Sequence, residues 1–488
     1  MKKSCIPCYG MITDIRRRAP HYINDFTQGF HPTVLASALF MLFSSIFPAL
    51  SFGVLLSKST ENQLGVMEVL FATSLSGIIF SLISGQPLVI VGVTGPICVF
   101  CITIFDICKR AEIPFLPWLS IIGFFTSFLC FMIAVLNLST LVKYVSRFTA
   151  EIFGCLIGVI YIVGAVEDIV EYFNNFSLDS ALLSFIISIG SFYVSYQLHY
   201  STTWIYFPNF IVKILKAYAV AISVGIFTGI SHLPVFDQRN GSWLVNYSSL
   251  PLWSIFAAII PASILAALIF FDHNISSLLS QKKEFNLKKG SAFHWDLFVC
   301  GLNILVCSLV GIPFTHGLIP QAPLHVTSLG RVEMKELPNG KKKEVIGSVR
   351  ENRVSNFLHA LIIGVLMMYG QVVLKTIPKG AMTGIFLYMG FTSFDGNQMM
   401  DRIKLWFVRS SQRKELHSPY VNTLPLFHNI VFTCIQMGFL GIIYAITESP
   451  AALSFPILIL ILVPIRMWLV PFLFTRRQLY YLDNEEDE

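Results

Sequence analysis

Long apolar segments recur along almost the whole chain and are separated by short polar segments. Each is close to the roughly 17–25 residues that a helix needs to cross a bilayer, so the pattern predicts an all-α polytopic membrane protein with about fourteen spans. A polar stretch at 231–250 divides the spans into two sets of seven. The first set lies near residues 32–56, 66–83, 88–104, 118–137, 148–170, 181–198 and 209–230; the second lies near 251–279, 296–311, 314–330, 354–375, 378–394, 426–446 and 451–472.

Two of these segments, the third and the tenth, are broken by residues that do not continue a helix. In the third span the breakers are Gly92, Gly95 and Pro96, and the tenth span begins with the run GIPFTHGLIPQAPLH at 311–325. Because opened backbone groups find no water in lipid, such breaks survive only where they are buried in protein or line a cavity. Matching breaks in the two halves of a membrane protein indicate a transporter's binding site.

The first break predicts an extended arm over 86–93 that leads into a half-helix, with Thr94 at its N-cap and Pro96 in its first turn. A short helix is expected after the second break as well. An odd number of spans in each half makes the halves inverted repeats, so the two half-helices begin near the midplane with their N-termini facing each other. Their unpaired N–H groups and positive dipole ends predict an oxyanion or a polyhydroxyl substrate, without saying which.

Composition supports a membrane protein and excludes an ordinary soluble one. Of the 488 residues, 55% are hydrophobic and only 13% are charged, whereas about a quarter are charged in soluble proteins. The net charge of +6 does not indicate nucleic-acid binding, because the basic residues lie in short segments between spans. Residues 1–30 lack the apolar core of a cleavable signal. Cys5 and Cys8 form a single CxxC, for which reversible palmitoylation or no role is expected rather than zinc.

Lysine and arginine give the expected orientation. With fourteen spans, most of the basic segments fall on one side, which the positive-inside rule assigns to the cytoplasm together with both termini. The sequons at Asn175, Asn240 and Asn246 then fall outside. The expected domains are a cytoplasmic amphipathic segment at 1–30, a seven-span repeat at 31–230, an extracellular loop at 231–250, a second seven-span repeat at 251–472 and a cytoplasmic acidic tail at 473–488.

Three stretches carry a family resemblance: GQPLVIVGVTGPICVF; FFDHNISSLLSQ followed by KKGSAFHWDLFVCG; and GIPFTHGLIPQAPLH. They resemble the bicarbonate-transporter superfamily of band 3 and its relatives, and within it the borate-transporter branch of fungi and plants. The resemblance runs in matching order from about residue 10 to 472. It implies an inverted-repeat fold with a substrate-carrying core of spans 1–4 and 8–11. It also implies a gate of spans 5–7 and 12–14, through which the protein dimerises.

Asp272 follows a run of apolar residues, and two interpretations of it stay open. An ionisable group within a span is costly and by default marks a substrate or proton pathway. Alternatively, the helix leaves the membrane here, since Asn274 and Ser276 are polar too. The resemblance implies that an acidic residue at this position lines the site, where it could carry a proton with the substrate.

The starts of the half-helices supply the other candidates. Gln321, with Ala322 beside it, offers an amide that both donates to and accepts from hydroxyl groups, or it only caps or packs the helix. In the animal anion exchangers a basic residue stands at the position of Gln321, which favours borate as the substrate here. Thr94 either binds substrate or serves only as an N-cap; in the second case the backbone amides of Gly95 and Ile97, beside Pro96, bind the substrate. Gln86 either lines the site or satisfies the backbone of the extended arm. Three histidines either relay protons or are structural: His273, His316 and His325.

The sequence therefore predicts a transporter that exports borate or boric acid across the plasma membrane by alternating access, with protons as possible co-substrate. The alternatives are a bicarbonate or other inorganic-anion exchanger and, from another class, a membrane-embedded enzyme or scaffold. No motif for ATP binding or hydrolysis is present, so no enzyme activity is expected. The expected partners are the lipid bilayer and a second copy of the chain, with no cofactor, metal or nucleic acid.

Overall fold

The computed structural model describes most of the chain. The described residues are 6–144, 146–204, 206–230, 245–247, 250–282, 285–336, 342–369, 377–408, 424–449 and 452–483. Most of the expected extracellular loop at 231–250, together with Cys5, Asn240 and residues 484–488 of the acidic tail, lies outside the described residues.

The first half of the chain forms helices where its apolar segments predicted them. Proline and glycine stand at several helix starts, because the first N–H groups of a helix have no partner within it. The elements are α1 (Tyr9–Arg18), α2 (Tyr22–Thr27), α3 (Pro32–Ser59), α4 (Val66–Ile83), β1 (Val91–Gly92), α5 (Gly95–Ala111), α6 (Phe115–Val135), α7 (Arg147–Asn175), α8 (Leu178–His199), α9 (Asn209–Ala217) and α10 (Ala219–Ile230), with 3-10 turns at Ala19–His21, Leu138–Tyr144 and Ser201–Thr203.

The second half repeats this order and adds a hairpin. Near its end a π-helical turn follows Pro464, whose ring removes a backbone donor from the helix. The elements are α11 (Leu252–Ala257), α12 (Ile259–Ser280), α13 (Phe293–Val310), β2 (His316–Gly317), α14 (Gln321–Ser328), β3 (Gly330–Glu336), β4 (Lys342–Val349), α15 (Val354–Tyr369), α16 (Lys379–Thr392), α17 (Gln398–Phe407), α18 (Leu426–Thr447), a 3-10 turn at Ala452–Ser454, α19 (Phe455–Pro464), the π turn Ile465–Leu469, α20 (Val470–Leu473) and α21 (Arg476–Asp483).

Within the described residues, nine helices are long and apolar enough to cross a membrane. The remaining predicted spans correspond to α5, the pair α9 and α10, α14, α15 and α16, which are short or broken. Each predicted apolar segment thus has a helical counterpart. The mostly helical membrane fold is confirmed.

The hairpin β3–β4 was not predicted. Its strands pair antiparallel from Gly330 opposite Val349 to Glu336 opposite Lys342, with an irregularity between Arg331 and Val332. It begins two residues after α14 ends and lies between the tenth and eleventh predicted spans. The charged residues of this short segment are interspersed with Val, Met and Ile, and β-branched residues favour strand formation.

Contacts divide the chain into two compact units. The first contains Met1–Thr140 and Ser177–Ile385, and the second contains Leu141–Phe176 and Phe386–Glu488. The predicted core and gate are defined by movement during transport. Contacts within one static unit do not test such a movement. That division and the domain boundaries stay predictions.

In the first unit, the N-terminal helices are held by a buried set of charges, the N-terminal ion cluster of Arg18, Asp25, Lys289, Glu351 and Arg353. The Asp25 carboxylate is 2.5 Å from Lys289 Nζ, 3.3 Å from Arg353 Nε and 3.4 Å from an Arg18 guanidinium nitrogen. Arg18 also lies 3.1 Å from Glu351. Arg18 and Asp25 are thus buried in protein, where each meets an opposite charge. The amphipathic interfacial segment at 1–30 stays a prediction.

Asp14 and Asp296 fix the start of the first broken segment. Asp14 accepts hydrogen bonds from the backbone N–H groups of His294 and Trp295 at the start of α13. Burial raises the pKa of the Asp14 carboxyl to about 6, against the lowering effect of those two bonds. Asp296 in turn accepts from the N–H groups of Gly85 and Gln86. The extended arm therefore begins at a fixed point on α13.

In the second unit, Arg402 occupies the interior of the helix group. It donates to Glu151 on α7 at 2.7 Å, to Gln436 on α18 at 2.6 Å and to the carbonyl of Leu482 on α21 at 3.3 Å. A fully buried arginine is tolerated only with such compensation, so these contacts fasten the C-terminal helix to the unit.

Candidate functional site

The first half-helix begins as predicted, but Thr94 does not cap it with its side chain. α5 starts at Gly95 with proline in its first turn, and Thr94 occupies the N-cap position without a side-chain hydrogen bond to the helix. The first helical bond runs from the N–H of Cys98 to the carbonyl of Thr94, at 3.0 Å. The N–H groups of Gly95 and Ile97 precede that bond, so they point out of the helix start.

The two broken segments pair with each other. β1 and β2 are antiparallel, with Val91 opposite Gly317 and Gly92 opposite His316, and the N–H of Leu318 donates to the carbonyl of Ile90 at 2.8 Å. Each segment thereby satisfies backbone groups that the other has opened at membrane depth. An antiparallel crossing is what an inverted repeat requires, and it brings the starts of α5 and α14 into one region.

Asp272 lies in the interior of α12, which continues to Ser280, so the helix does not end at Asp272. Asp272 as a whole residue is 1% exposed. Its Oδ2 is 3.4 Å from His316 Nε2, and that nitrogen is also 2.9 Å from the Thr94 hydroxyl. Asp272 Oδ1 has no protein partner among the described residues. His316 thus contacts both Thr94 and Asp272, and these two contacts join the first half-helix, β2 and α12.

Close packing holds β2 against α12. The N–H of Gly317 donates to His273 Nδ1 at 3.2 Å, and the Ser276 hydroxyl donates to the carbonyl of Leu318 at 3.1 Å. A Cβ atom on Gly317 would lie 2.8 Å from Ser276 Cβ. Only glycine fits this approach, so the position of His316 beside Asp272 depends on Gly317.

Gln321 and Ala322 form the first turn of α14. The Gln321 side-chain amide donates to the carbonyl of Ser44 on α3 at 3.3 Å, and its Oε1 has no protein partner among the described residues. The N–H of Ala322 donates to the carbonyl of Leu318 at 3.1 Å. Gln321 retains an acceptor for a ligand, and the role of Ala322 in substrate binding stays a prediction.

His325, further along α14, contacts two neighbouring elements through its ring. Its Nδ1 lies 2.8 Å from the carbonyl of Leu88 and its Nε2 lies 2.8 Å from the Ser355 hydroxyl. Both ring nitrogens are therefore engaged by neighbouring elements. His325 fastens the half-helix to the extended arm and to α15.

Gln86 lies at the opposite end of the arm from Thr94. Its backbone N–H is held by Asp296, and both polar atoms of its buried side chain have no protein partner among the described residues. The structure does not bring Gln86 into contact with Asp272, His316 or Gln321. Its role in substrate binding stays a prediction.

Sequence reasoning treated His316 only as one of three possible relays and did not identify Ser44 or Asp296. The contact of His316 with Thr94 joins residues 222 positions apart, and that of Gln321 with Ser44 joins residues 277 apart. The one available signal was a histidine placed directly within a membrane break, where a side chain must face protein.

Comparison with known proteins covers nearly the whole chain. Residues 6–180 and 174–487 match the family described as "HCO3- transporter integral membrane domain". The Band 3 anion transport protein of Homo sapiens is 32% identical over 516 residues, which are 98% of this chain and 56% of that protein. Anion exchange protein 2 of Rattus norvegicus is 30% identical over 549 residues, 100% of this chain and 44% of that protein. The chain spans about half the length of these curated relatives.

Solved structures show the same fold at low sequence identity. The transmembrane domain of a cyanobacterium bicarbonate transporter, BicA, superposes with a TM-score of 0.60 at 14% identity, covering 88% of this chain and 97% of that one. Murine Solute Carrier 26 family member A9, an anion transporter in the inward-facing state, gives 0.59 at 12% identity, covering 90% and 68%. From the match along both halves and the identity with band 3, the chain belongs to the family of HCO3- transporter integral membrane domains.

Proposed function

We propose that this protein carries boric acid or borate across the plasma membrane by alternating access, and that it exports boron. The observation that carries the proposal is the chemistry around the half-helix starts, where Thr94, Asp272, His316 and Gln321 supply hydroxyl, carboxyl, imidazole and amide groups. Among the described residues, no lysine or arginine forms a hydrogen bond or ion pair with any of the four. Boric acid presents only hydroxyl groups, which such side chains both donate to and accept from.

The half-helix starts support a substrate that can also be an anion. The N–H groups of Gly95 and Ile97 lie at the positive end of the α5 dipole, and the start of α14 lies beside the paired strands. Backbone donors and dipoles stabilise a single negative charge without a fixed cationic side chain. The same site would then accept neutral boric acid or the borate anion.

The second candidate function is the exchange of bicarbonate or another inorganic anion. The names of the relatives favour it, since they are an anion transport protein and an anion exchange protein. These names also favour a transporter over an enzyme or a scaffold. Gln321 favours the boron proposal instead, because its amide both donates to and accepts from hydroxyl groups.

We further propose that both termini are cytoplasmic and that two copies associate through the gate helices. The orientation is supported by the distribution of lysine and arginine. Dimerisation is supported only by the resemblance to the superfamily.

The experiment is a flux assay in proteoliposomes containing the purified protein. Boron, bicarbonate and chloride fluxes are measured in one preparation, with and without a pH gradient. We expect boron flux well above that of protein-free liposomes and little chloride flux. Asp272→Asn keeps the shape of the side chain and removes its titrating group, so it should lose most of the flux and flatten the pH dependence of the remainder.

The matched control is Asp106→Asn, because Asp106 is an exposed acid on α5 away from the half-helix start. It should retain the wild-type flux and pH profile. Chloride–bicarbonate exchange without boron flux would replace the proposal by the second candidate. If Asp272→Asn and the wild type coincide at every pH, the role assigned to Asp272 is wrong.

A further inference from the structure

His316 makes contacts that no other described residue of the site combines. It lies in β2 opposite Gly92 of β1, and its side chain is 1% exposed. Its Nε2 is 2.9 Å from the Thr94 hydroxyl and 3.4 Å from Asp272 Oδ2. One ring nitrogen therefore faces both the N-cap of a half-helix and the buried carboxyl of α12.

The partners of His316 require a proton between its ring and Asp272. The Nδ1 atom lies 3.1 Å from the carbonyl oxygen of Gly317, which can only accept, so Nδ1 carries a proton. A bare Nε2 facing an ionised carboxylate would set two acceptors against each other, so a further proton must lie on Nε2 or on Asp272. With that proton the pair is neutral, whichever atom holds it, and with one more proton the pair is a cation.

His273 faces the same region from α12 but cannot serve as the second proton site. Its Nδ1 accepts the N–H of Gly317 at 3.2 Å, so protonating it would break a bond that holds β2. On α13, the Cys300 thiol donates to the carbonyl of Thr315 at 3.7 Å. Cys307 on α13 also forms a side-chain hydrogen bond with Thr315. Among the described residues, the titratable groups that contact residues 315–317 from α12 and α13 are therefore Asp272, His273, Cys300 and Cys307.

We propose that Asp272 and His316 form one proton-binding unit in which His316 is the second proton site and sets the charge of the substrate that is carried. The inference rests on the proposed function, since it concerns the same site. In this count the proton that stays on Nδ1 is left out. With one proton shared between Nε2 and the Asp272 carboxyl, the unit is neutral and accepts boric acid. With two protons it is a cation and accepts a monovalent oxyanion such as borate or bicarbonate. When the anion leaves, the second proton leaves with it, so the empty and the loaded site are both neutral.

The test counts protons taken up on binding. Purified protein in detergent is titrated calorimetrically at near-neutral pH with boric acid and, separately, with bicarbonate, in two buffers that differ in ionisation enthalpy. For the wild type we expect uptake of one proton for each bound bicarbonate and none for each boric acid. His316→Asn keeps an amide near Thr94 but has no second proton site, so it should bind bicarbonate more weakly and without proton uptake.

The matched control is His31→Asn, since His31 caps α3 through its side chain and asparagine caps equally well. It should keep the wild-type proton count. An unchanged count in His316→Asn would show that His316 only positions Thr94, and would overturn the inference. Bicarbonate binding with the expected proton count, but no boric acid binding or boron flux, would contradict the proposed function and leave His316 standing as the second proton site for an anion.

A second measurement applies if His316→Asn does not fold. Net bicarbonate uptake by wild-type proteoliposomes is recorded under imposed potassium diffusion potentials, with no other permeant anion present. A cycle that is neutral in both directions predicts uptake that does not change with the potential. Uptake that follows the potential would mean that the anion crosses without its proton, and the inference would be wrong.

Discussion

At the scale of single residues, Gln321 combines two tasks in one side chain. Its amide nitrogen donates to the Ser44 carbonyl on α3 and so fixes the start of α14. Its Oε1 is buried without a protein partner among the described residues. A buried acceptor left unsatisfied is costly, so water or a substrate hydroxyl must complete it.

Replacing Gln321 by alanine should weaken boron binding while retaining the pH profile, because the change removes hydrogen bonds and no charge. A lost bond to a buried group costs roughly 1–3 kcal/mol, or about ten- to a hundredfold in affinity. Boron flux as a function of concentration, measured across a pH series, gives both quantities. Thr327→Ala, an exposed change on the same helix, should behave as the wild type. A large change in the pH profile of Gln321→Ala would contradict this division of roles.

The sequence singled out Asp272 as a candidate because an ionisable group within a span is costly, and Gln321 because its amide suits hydroxyl groups and it stands at the start of the second half-helix. It did not identify the contact of His316 with both Thr94 and Asp272. On an extended segment the direction of a side chain depends on the strand register, which is set by a partner far away in the chain. Gln86 is likewise a polar residue within a predicted span, yet in the structure it lies next to the start of α13, where its backbone N–H donates to Asp296.

At the scale of elements, the antiparallel pair β1–β2 is the feature on which the site depends. It holds two half-helix starts together, and its packing against α12 leaves no room for a side chain at Gly317. Overpacking a filled interior costs typically about 1–3 kcal/mol and shifts the backbone.

Gly317→Ala should therefore reduce boron flux by more than tenfold, or about 1.4 kcal/mol, and lower the melting temperature in detergent. Gly438→Ala is the matched control, since a Cβ there meets nothing within 4 Å. Adding Ser276→Gly to Gly317→Ala removes both of the nearest clashing atoms, so partial recovery of flux is expected. Normal flux in Gly317→Ala alone would show that the strand pair tolerates displacement and does not position the site.

The helices were predictable because an apolar run of sufficient length has few alternatives in a bilayer. The breaks were predictable because glycine and proline interrupt such runs. The pairing of β1 with β2 was not predictable, since two residues per strand carry no pattern of their own and the strands are far apart in sequence. The hairpin β3–β4 was missed because its charges outweighed its alternating apolar residues.

At the scale of the whole molecule, the N-terminal ion cluster joins the beginning of the chain to two distant loops of the first unit. Asp25 is fully buried and lies within ion-pair distance of Lys289, Arg353 and Arg18. The ion pairs with Lys289 and Arg353 join residues far apart in sequence, so they form only in the folded chain and stabilise it relative to the unfolded chain.

Asp25→Ala should lower the melting temperature strongly, because it leaves buried cations uncompensated, at a cost of about 3–5 kcal/mol. Thermal unfolding of purified protein in detergent measures the effect. Lys109→Ala is the control, since its ion pair with Glu61 is exposed, and exposed pairs contribute little. Equal melting temperatures for Asp25→Ala and the wild type would mean that the N-terminal helices are not fastened through this carboxylate.

The ion cluster also has a consequence during synthesis. The ribosome makes Asp25 early, whereas Lys289 emerges only after the eighth predicted span and Arg353 only after the tenth. At about 5–20 residues per second, Asp25 waits roughly 15–65 seconds for Arg353. During most of that interval Asp25 lacks two of its three cationic partners, and its carboxylate remains available to water. Pairing of Asp25 with Arg353 thus marks a nascent chain that has been translated beyond its tenth span, and chains truncated before Arg353 lack this ion pair.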